Sequence, residues 1–368
     1  MRTPSIVRRH RSVRWLAPVG VLGVVGLAAG GMIAARASTS GPLPDTNTAE
    51  LVADIHSASV RGFSGTVVTQ MSLGLPQLPS VAGAERGGSS MAGLLAGSHT
   101  IRVWYGSADH QRIALLGQTS ETDVFHSGSD IWEWDSDTHV ATHTVLPARS
   151  AGSAAAEPKP SVAEALTPQQ LATQFLAAVN PTTAVALGTN RTVADRSAYE
   201  LVLTPRDAQT RIGSVHISVD GSTKLPLGVQ VYARGSSTPA LDVAYSDISF
   251  KAPPAGYFSF APPPGAVVHT GSARSNADAP SVLPDSAGTP ETKTIGTGWS
   301  SVVEYRTTAA EIKKLAGPTF GALSPVQGSW GTGRLLDSAL FAALITDDGR
   351  VFAGAVNPQA LYAAASTR

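Results

Sequence analysis

The sequence predicts an α+β fold in which antiparallel β-strands dominate. Apolar and polar residues alternate in several short runs between Val215 and Ala266, separated by turn residues such as Asp220-Gly221 and Pro253-Pro254. This alternation is typical of antiparallel strands with one buried face. Two helix-capping patterns add helices, and a hairpin signal near the C-terminus indicates a second, small α+β unit. Pro226 interrupts one run, so this strand must be an edge strand or carry a bulge.

The first part of the chain is predicted to begin with one helix and to continue as strands. Asn47 and Glu50 make an N-cap and N3 pair, and apolar residues then recur at helical spacing to about Ser59. The segment Gly74 to Ser98 is rich in Gly, Ser and Pro, which predicts a mobile loop. The predicted strands are residues 63–73, 100–105, 111–117, 121–126, 130–134 and 140–146.

A second helix is predicted from Thr167, which caps a helix with proline at its first position and ends at Asn180-Pro181. Strands return at 197–204 and continue to Phe260. A linker rich in Ser, Ala, Pro and Asp follows over 273–292. The remaining small unit comprises a strand at 298–306, a helix capped by Thr308 and Glu311, and strands 334–346 and 350–356 flanking the hairpin signal Asp347-Asp348-Gly349.

The N-terminus has the pattern of a secretory signal. Five arginines and no acid lie in the first fourteen residues, and an uncharged segment over 15–35 precedes Ala35-Arg36-Ala37. The uncharged segment is also long enough to cross a bilayer as a helix, so a cleaved signal peptide and a retained membrane anchor both remain open. In either case the arginines keep the N-terminus cytoplasmic, and the rest of the protein is predicted to be extracytoplasmic.

Composition excludes several classes of function. The chain has no cysteine, which rules out disulfides, thiolate metal sites, cysteine nucleophiles and lipid attachment to an N-terminal cysteine. Its formal net charge is zero, so nothing indicates a nucleic-acid partner.

No constellation of residues predicts catalysis, a cofactor or a metal. His139 and His143 would share one face of a strand, but zinc needs a third protein ligand and none is evident. Asp135 and Asp137 are best explained as a solvated strand edge. Neither a G-x-S-x-G elbow nor a dinucleotide-binding glycine pattern occurs in the required context. The chain is therefore predicted not to be an enzyme.

Bulky aromatic residues occupy both faces of the predicted strands. Two interpretations remain open: burial on both sides by packed helices, or a hydrophobic pocket between a curved sheet and covering helices. The aromatic residues on the predicted strands are Trp104, Tyr105, Phe125, Trp132, Trp134, Tyr232 and Tyr245.

A set of segments occurs in an order and spacing known from one family: residues 97–116, 130–134, 141–144, 167–180, 219–231 and 330–356. By these segments the chain resembles the LolA-like superfamily of bacterial cell-envelope proteins. This group includes periplasmic lipoprotein carriers, mycobacterial-type lipid-binding lipoproteins and the RseB/MucB regulators, and the chain looks most like LolA or MucB/RseB-like proteins of high-GC Gram-positive bacteria. Phe258-Ser259-Phe260, with Pro262 to Ala266, matches the closing strand of the family.

The resemblance implies a strongly curved, unclosed antiparallel half-barrel capped by helices, with an apolar cavity that takes acyl chains. Strand parity places one set of apolar residues on a common buried face, without telling whether that face is the concave one. This candidate lipid-binding set is Val67, Met71, Val103, Ile113, Leu115, Leu201, Val229, Val231 and Val243. The predicted division is a signal or anchor at 1–37, a linker at 38–46, the half-barrel at 47–268, a linker at 269–294 and the small C-terminal domain at 295–368.

Two functions follow as hypotheses. The first is an extracytoplasmic carrier that shelters the acyl chains of a lipid or an acylated protein. The alternative is an RseB-like sensor that binds an anti-sigma factor or another single-pass membrane regulator; here the C-terminal unit resembles RseB in layout only. The absence of a lipid-attachment cysteine separates this chain from the lipid-binding lipoproteins of the superfamily.

Overall fold

The computed structural model describes residues 43–75, 97–146, 165–179, 181–272, 292–308 and 319–367. All of them belong to one compact unit, which begins at Ser38. The predicted signal or anchor, almost all of the predicted loop after Gly74, most of the linker after residue 272 and the helix predicted after Thr308 lie outside the described residues. The predicted domain boundaries stay a prediction.

Most of the chain forms one large sheet, β1 to β13, which is open because its terminal strands β13 and β7 do not pair. Its strands follow the order β13-β6-β5-β4-β3-β2-β1-β12-β11-β10-β9-β7, and β8 pairs β9 beside this path. The strands are β1 (Phe63–Met71), β2 (Gly97–Ser107), β3 (His110–Leu116), β4 (Glu121–Ser127), β5 (Asp130–Asp135), β6 (Val140–Val145), β7 (Thr183–Leu187), β8 (Arg191–Val193), β9 (Arg196–Pro205), β10 (Ile212–Asp220), β11 (Pro226–Ala233), β12 (Pro239–Ser249) and β13 (Val267–Ser272).

Two helices accompany the large sheet, and both begin at the caps that the sequence predicted. In α1 (Thr48–Ser57) the Asn47 side chain accepts from the Glu50 amide at 2.9 Å. In α2 (Pro168–Ala177) the Thr167 hydroxyl accepts from the Gln170 amide at 3.4 Å. Such caps satisfy amides that have no partner within the helix, and each contributes about 1 kcal/mol.

Pro226 lies in an interior strand and not at an edge of the sheet. It opens β11, which is flanked by β10 and β12, and the register between β10 and β11 shifts where Val219 meets Pro226. A bulge at this point accommodates the missing N–H of proline. The predicted bulge is therefore confirmed, and the alternative of an edge strand is wrong.

A smaller sheet follows in the order β14-β15-β19-β18-β17-β16. The predicted hairpin at Asp347-Asp348-Gly349 joins β18 to β19, as expected. Helix α4 packs on this sheet and buries Leu361 completely. The elements are β14 (Thr292–Ile295), β15 (Val302–Arg306), α3 (Thr319–Ala322), β16 (Ser324–Gly328), β17 (Gly331–Asp337), β18 (Ala342–Thr346), β19 (Arg350–Gly354) and α4 (Pro358–Ser366).

The two sheets have separate hydrophobic clusters. The contacts that join the sheets, here called the seam, are centred on Thr210 and Arg211. Thr210 pairs with Val356 in an isolated bridge, and its hydroxyl donates to the Ala355 carbonyl at 2.8 Å. Beside it Arg211 forms an ion pair with Asp337 at 2.5 Å. Thr210 and Val356 are buried and Arg211 is half-buried, whereas the Asp337 side chain is exposed. The buried bridge therefore holds the small sheet against the large one.

The predicted fold class is confirmed, with the following corrections. A curved, largely antiparallel sheet capped by helices stands beside a small α+β unit. However, Phe258 ends a 3-10 turn, and Ser259 and Phe260 have no strand structure. The last strand of the large sheet is instead β13, which pairs with β6 in parallel over six residues. The strand predicted at 298–306 begins only at Val302, after a 3-10 turn, and the strand predicted at 334–346 is divided into β17 and β18 by the turn at 338–341. The elements that were not predicted are β7, β8, β14, β16, α3 and α4.

Candidate functional site

The nine predicted lipid-binding residues lie on a single face of the large sheet, here called the inner face. Directly opposed residues in paired strands share a face. Val67 is opposed to Ile101, which is opposed to Leu115, and one row further along Val103 is opposed to Ile113. The register of β1, β2 and β3 thus places these residues on one face, as their alternating positions in the sequence predicted.

The same face continues on the other side of β1. Thr69 of β1 is opposed to Val243, Val243 to Val229, and Val229 through Ile217 to Leu201. Met71 connects in the same way through Leu241 to Val231. Eight of the nine side chains are buried, and Met71 is half-buried. They form part of one hydrophobic cluster.

Helix α2 covers part of the inner face through one buried polar contact. The Tyr245 hydroxyl donates to the Gln169 side-chain carbonyl at 3.1 Å, and the Gln169 amide donates to the Pro226 carbonyl at 2.8 Å. Complete burial raises the pKa of Tyr245 above its usual value, with the Gln169 contact opposing the shift, so the phenol is neutral in the folded protein. Around this contact α2 presents apolar residues to the sheet, among them Leu171 and Leu176.

Helix α1 lies over the same face near β9. Leu51 of α1 is fully buried, and the hydroxyl of Tyr199 donates to the Pro44 carbonyl just before the helix at 2.8 Å. Tyr199 is two residues from Leu201 in β9 and therefore shares its face. The inner face thus meets both covering helices mainly through apolar contacts.

The helix-covered part of the inner face is filled in this conformation. Val67, Leu201, Val229 and Val243 have no solvent-accessible surface, and Val231 has 1%. A cavity large enough for water would expose the side chains that line it, so an acyl chain needs the covering helices to move. A groove of about 540 Å³ does occur, but it lies on the β16–β17 hairpin of the small sheet, away from the inner face.

The opposite face, here called the outer face, carries a row of aromatic and charged side chains. Cross-strand pairing aligns Trp104 with Arg112, Arg112 with Phe125, Phe125 with Trp132 and Trp132 with His143. The Arg112 guanidinium lies 4.7 Å from the ring centres of both Trp104 and Phe125. Trp132 stacks on His143 at 4.2 Å.

The segment that covers this aromatic row is a 3-10 turn over Ala255–Phe258 and the irregular chain that follows it. Tyr257 stacks on Trp104 at 5.7 Å, and Phe260 stacks on Phe125 at 4.9 Å and also contacts Trp132 and Trp134. Most of the rings are therefore in contact with one another. The sequence left open whether helices or a pocket explained the aromatic residues; on this face they pack against residues 257–260.

One carboxylate beneath this row is perturbed. Asp123 is almost fully buried, and burial raises its pKa from 3.8 to about 6, although the Arg112 guanidinium 2.8 Å away opposes the shift. Glu121 raises the pKa further and also binds Arg112, at 3.1 Å. Among the described residues, no group of acidic or histidine side chains that could hold a metal includes Asp123.

The histidine pair does not have the predicted geometry. His143 lies in β6 and binds Asp130 at 2.7 Å, whereas His139 lies in the preceding turn with a φ of 56°. The two therefore do not share a strand face. Asp135 uses its carboxylate to accept the amides of Asp137 and Thr138 at 2.9 Å, which is turn chemistry. In the part of the chain that the structure describes, no group of three or more His, Asp or Glu could hold a metal.

Residues of the small unit also support the inner face, and sequence reasoning missed them. Trp299 stacks on Phe175 of α2 at 6.0 Å, and its indole N–H donates to the Thr183 hydroxyl at 2.7 Å. Trp299 lies in a 3-10 turn between β14 and β15. No local pattern distinguishes this tryptophan from an ordinary core residue. The Gln169–Tyr245 contact was likewise missed, although an amide in the first turn of an otherwise apolar helix face was a usable signal.

No family model matches the chain, and no curated protein matches it. Solved structures with a similar arrangement include the MucA/MucB complex of Pseudomonas aeruginosa, with 16% identity over 86% of this chain and 94% of that one, and a TM-score of 0.42. An uncharacterised conserved protein from Thermus thermophilus has 10% identity over 60% and 98%, with a TM-score of 0.34. A LolA superfamily protein from Nitrosomonas europaea has 13% identity over 59% and 99%, with a TM-score of 0.21.

These likenesses are distant, and the fold is assigned from the strand order and register of this chain. No helix among the described residues is long and apolar enough to cross a membrane.

Proposed function

We propose that this chain is an extracytoplasmic binding protein that holds acyl chains of a lipid or an acylated protein against its inner face. The observation that carries the proposal is a continuous apolar face, extending over β1 to β3 and β9 to β12 and covered by helices through apolar contacts. Transfer of acyl chains to such a surface gains about 25 cal/mol for each Å² of apolar area buried. Specificity between similar lipids is then modest.

The hydrogen bond between Gln169 and Tyr245 is weak enough to allow α2 to detach and return. One buried hydrogen bond contributes only about 1 kcal/mol net, so it aligns the helix without fixing it irreversibly. An entering acyl chain would replace the apolar contacts that the sheet loses. Because the inner face is filled in this conformation, the bound state requires α2 or α1 to move.

The test is lipid analysis of the protein recovered from a bacterial host that expresses the full chain. Native mass spectrometry and organic extraction should find a stoichiometric acyl lipid. Met71→Asp should reduce retention, because Met71 is half-buried on the inner face and tolerates a charge without unfolding. Val303→Asp, at an exposed position of the small sheet, is the matched control. A lipid-free protein that takes up no phosphatidylglycerol from vesicles would overturn the proposal.

A second candidate is a regulatory protein that binds the extracytoplasmic segment of a single-pass membrane protein. The filled inner face favours it, because a partner-binding protein needs no empty cavity. The firm seam between the sheets at Thr210 and Arg211 also suits a rigid platform. Cross-linking in the envelope followed by mass spectrometry should identify cross-links to one such segment; their absence from a functional, lipid-loaded protein would exclude this candidate.

A further inference from the structure

One end of the large sheet is an open, uncharged edge. β13 is the terminal strand among the described residues, and its register with β6 is regular over all six residues, from Val267–Val140 to Ser272–Val145. It contains no lysine, proline or bulge, which are the usual protections of an edge. Its free side therefore presents backbone donors and acceptors to an incoming strand.

Exposed valines flank this edge on both faces of the sheet. Val267 is 53% exposed and Val268 is 48% exposed, and adjacent residues of a strand point to opposite faces. Val145 of β6 is exposed as well. A strand added beside β13 would cover apolar surface above and below the sheet at the same time.

The other end of the sheet is partly covered by the small unit. Thr183 in β7 is buried and accepts from the Trp299 indole at 2.7 Å. The small unit thus covers the start of β7, whereas Ala186 and Leu187 at the end of the strand are exposed. The described residues place no such cover beside β13.

The charge of the chain near the open edge indicates the kind of partner. Residues 113–146, which include β4, β5 and β6, contain six carboxylates and no lysine or arginine. The neighbouring Arg112 is engaged by Glu121 and Asp123. Asp135 and Asp137 lie at the β5–β6 turn, beside the start of β13, where the N–H of the first β13 residue donates to the carbonyl of residue 139 at 2.9 Å. Asp130 is paired with His143 at 2.7 Å, so the argument for a cationic partner rests on the carboxylates at the β5–β6 turn.

We propose that the β13 edge binds an extended, basic segment of a partner protein as an added strand. Main-chain hydrogen bonds to β13 supply most of the affinity, and β-branched side chains on the incoming strand pack on Val267 and Val268. Lysine or arginine residues of the segment are attracted by the carboxylates at the β5–β6 turn, over distances at which salt screens the interaction. This site is separate from the inner face, so the proposal stands whether or not the protein carries lipid.

The experiment measures binding of fluorescent synthetic peptides to the full chain by anisotropy. The first peptide alternates valine with lysine, a second replaces lysine by glutamate, and a third is the lysine peptide with N-methylated amides. The lysine peptide should bind at least about tenfold more tightly than either of the others, and its affinity should fall as salt is raised. Equal binding of the N-methylated peptide would overturn the proposal, because no strand could then have been added.

Two variants locate the site. Val267→Lys combined with Val268→Lys should weaken binding of the lysine peptide about tenfold or more, because lysines protect an edge and repel this ligand. Val303→Lys in the small sheet is the matched control and should leave binding unchanged. Asp135→Asn with Asp137→Asn keeps side chains able to accept the turn hydrogen bonds and should reduce the salt dependence. Unchanged binding in both double variants would overturn the proposal, and so would self-association of the chain through β13, which would make a second copy the occupant.

Discussion

The two ends of the large sheet bury opposite faces. At the helix-covered end, β9 to β12 bury aliphatic residues on the inner face. At the aromatic end, β4 buries Asp123 and Phe125, which point to the outer face and lie under residues 257–260. A single sheet thus changes its buried face along its width. The proposed acyl-chain site lies at the first end, and the proposed strand-addition edge lies at the second.

The two ends also treat a buried aspartate–arginine pair differently. Asp220 accepts from Arg196 at 2.5 and 2.9 Å and from the amide and hydroxyl of Thr223, and although burial opposes ionisation these donors lower its pKa. Asp123 receives one bond from an Arg112 that it shares with Glu121, and burial raises its pKa. The number of donors, and not burial alone, decides the sign of the shift.

The largest loss of stability is expected when a charge is buried, and placing an aspartate at each end of the sheet tests this. Val231→Asp buries an unpaired carboxylate at a site with 1% exposure and should destabilise the fold by at least about 4 kcal/mol. Val267→Asp, at 53% exposure, should change stability by no more than about 1 kcal/mol. Urea denaturation followed by circular dichroism measures both. Similar losses at the two positions would break the distinction between a filled face and an open edge.

Part of this difference between the two ends of the sheet could be predicted from the sequence. Alternation with a period of two placed all nine inner-face residues on one face, because strand parity is a local property. The caps at Asn47 and Thr167 were local too, and both were confirmed. A lipid-binding role for the inner face stays a prediction. Parity alone did not tell which face the helices cover.

What the sequence did not reveal depends on contacts between distant segments. Gln169 and Tyr245 are separated by 76 positions, and Thr183 and Trp299 by 116. No pattern within a single segment predicts such a contact between distant residues. The closing strand was misplaced for a related reason: Phe258 and Phe260 look strand-like because they alternate, yet they pack on the outer face as a covering segment. Alternation reports one-sided burial and does not report hydrogen bonding.

The second prediction tests how firmly the helix-covered end is held by the small unit. Trp299→Ala removes the stack on Phe175 and the hydrogen bond to Thr183, and should cost about 3–5 kcal/mol. Trp299→Phe keeps a stacked ring but leaves the Thr183 hydroxyl buried without its donor, and should cost about 1–2 kcal/mol. Thermal denaturation of both variants gives the ordering. Equal losses would mean that the hydrogen bond to β7, and not the stack on α2, accounts for the contribution of Trp299.

The last prediction concerns the pH dependence of stability, which Asp123 and Asp220 should affect in opposite directions. The pKa of Asp123 is raised, so the native state holds its proton more tightly than the unfolded chain does, and this group's contribution to stability is complete below pH 4 and is lost as pH rises to about 6. The difference between the folded and unfolded pKa values corresponds to at most about 3 kcal/mol at 1.36 kcal/mol per pH unit. Asp123→Asn should remove this decline.

Asp220 should behave in the opposite sense. Its pKa is lowered, so its contribution is present above the unfolded value near 4 and is lost as pH falls through the lower folded value. The free energy of unfolding is measured by urea titration of the wild type, Asp123→Asn and Asp220→Asn between pH 3 and pH 7, since differences between variants remove the titration of other carboxylates. The Asp123 difference should change between pH 4 and 6, and that of Asp220 only below about pH 4. Difference curves of the same sign would show that both pairs are governed by burial alone, and that the two ends of the sheet are electrostatically alike.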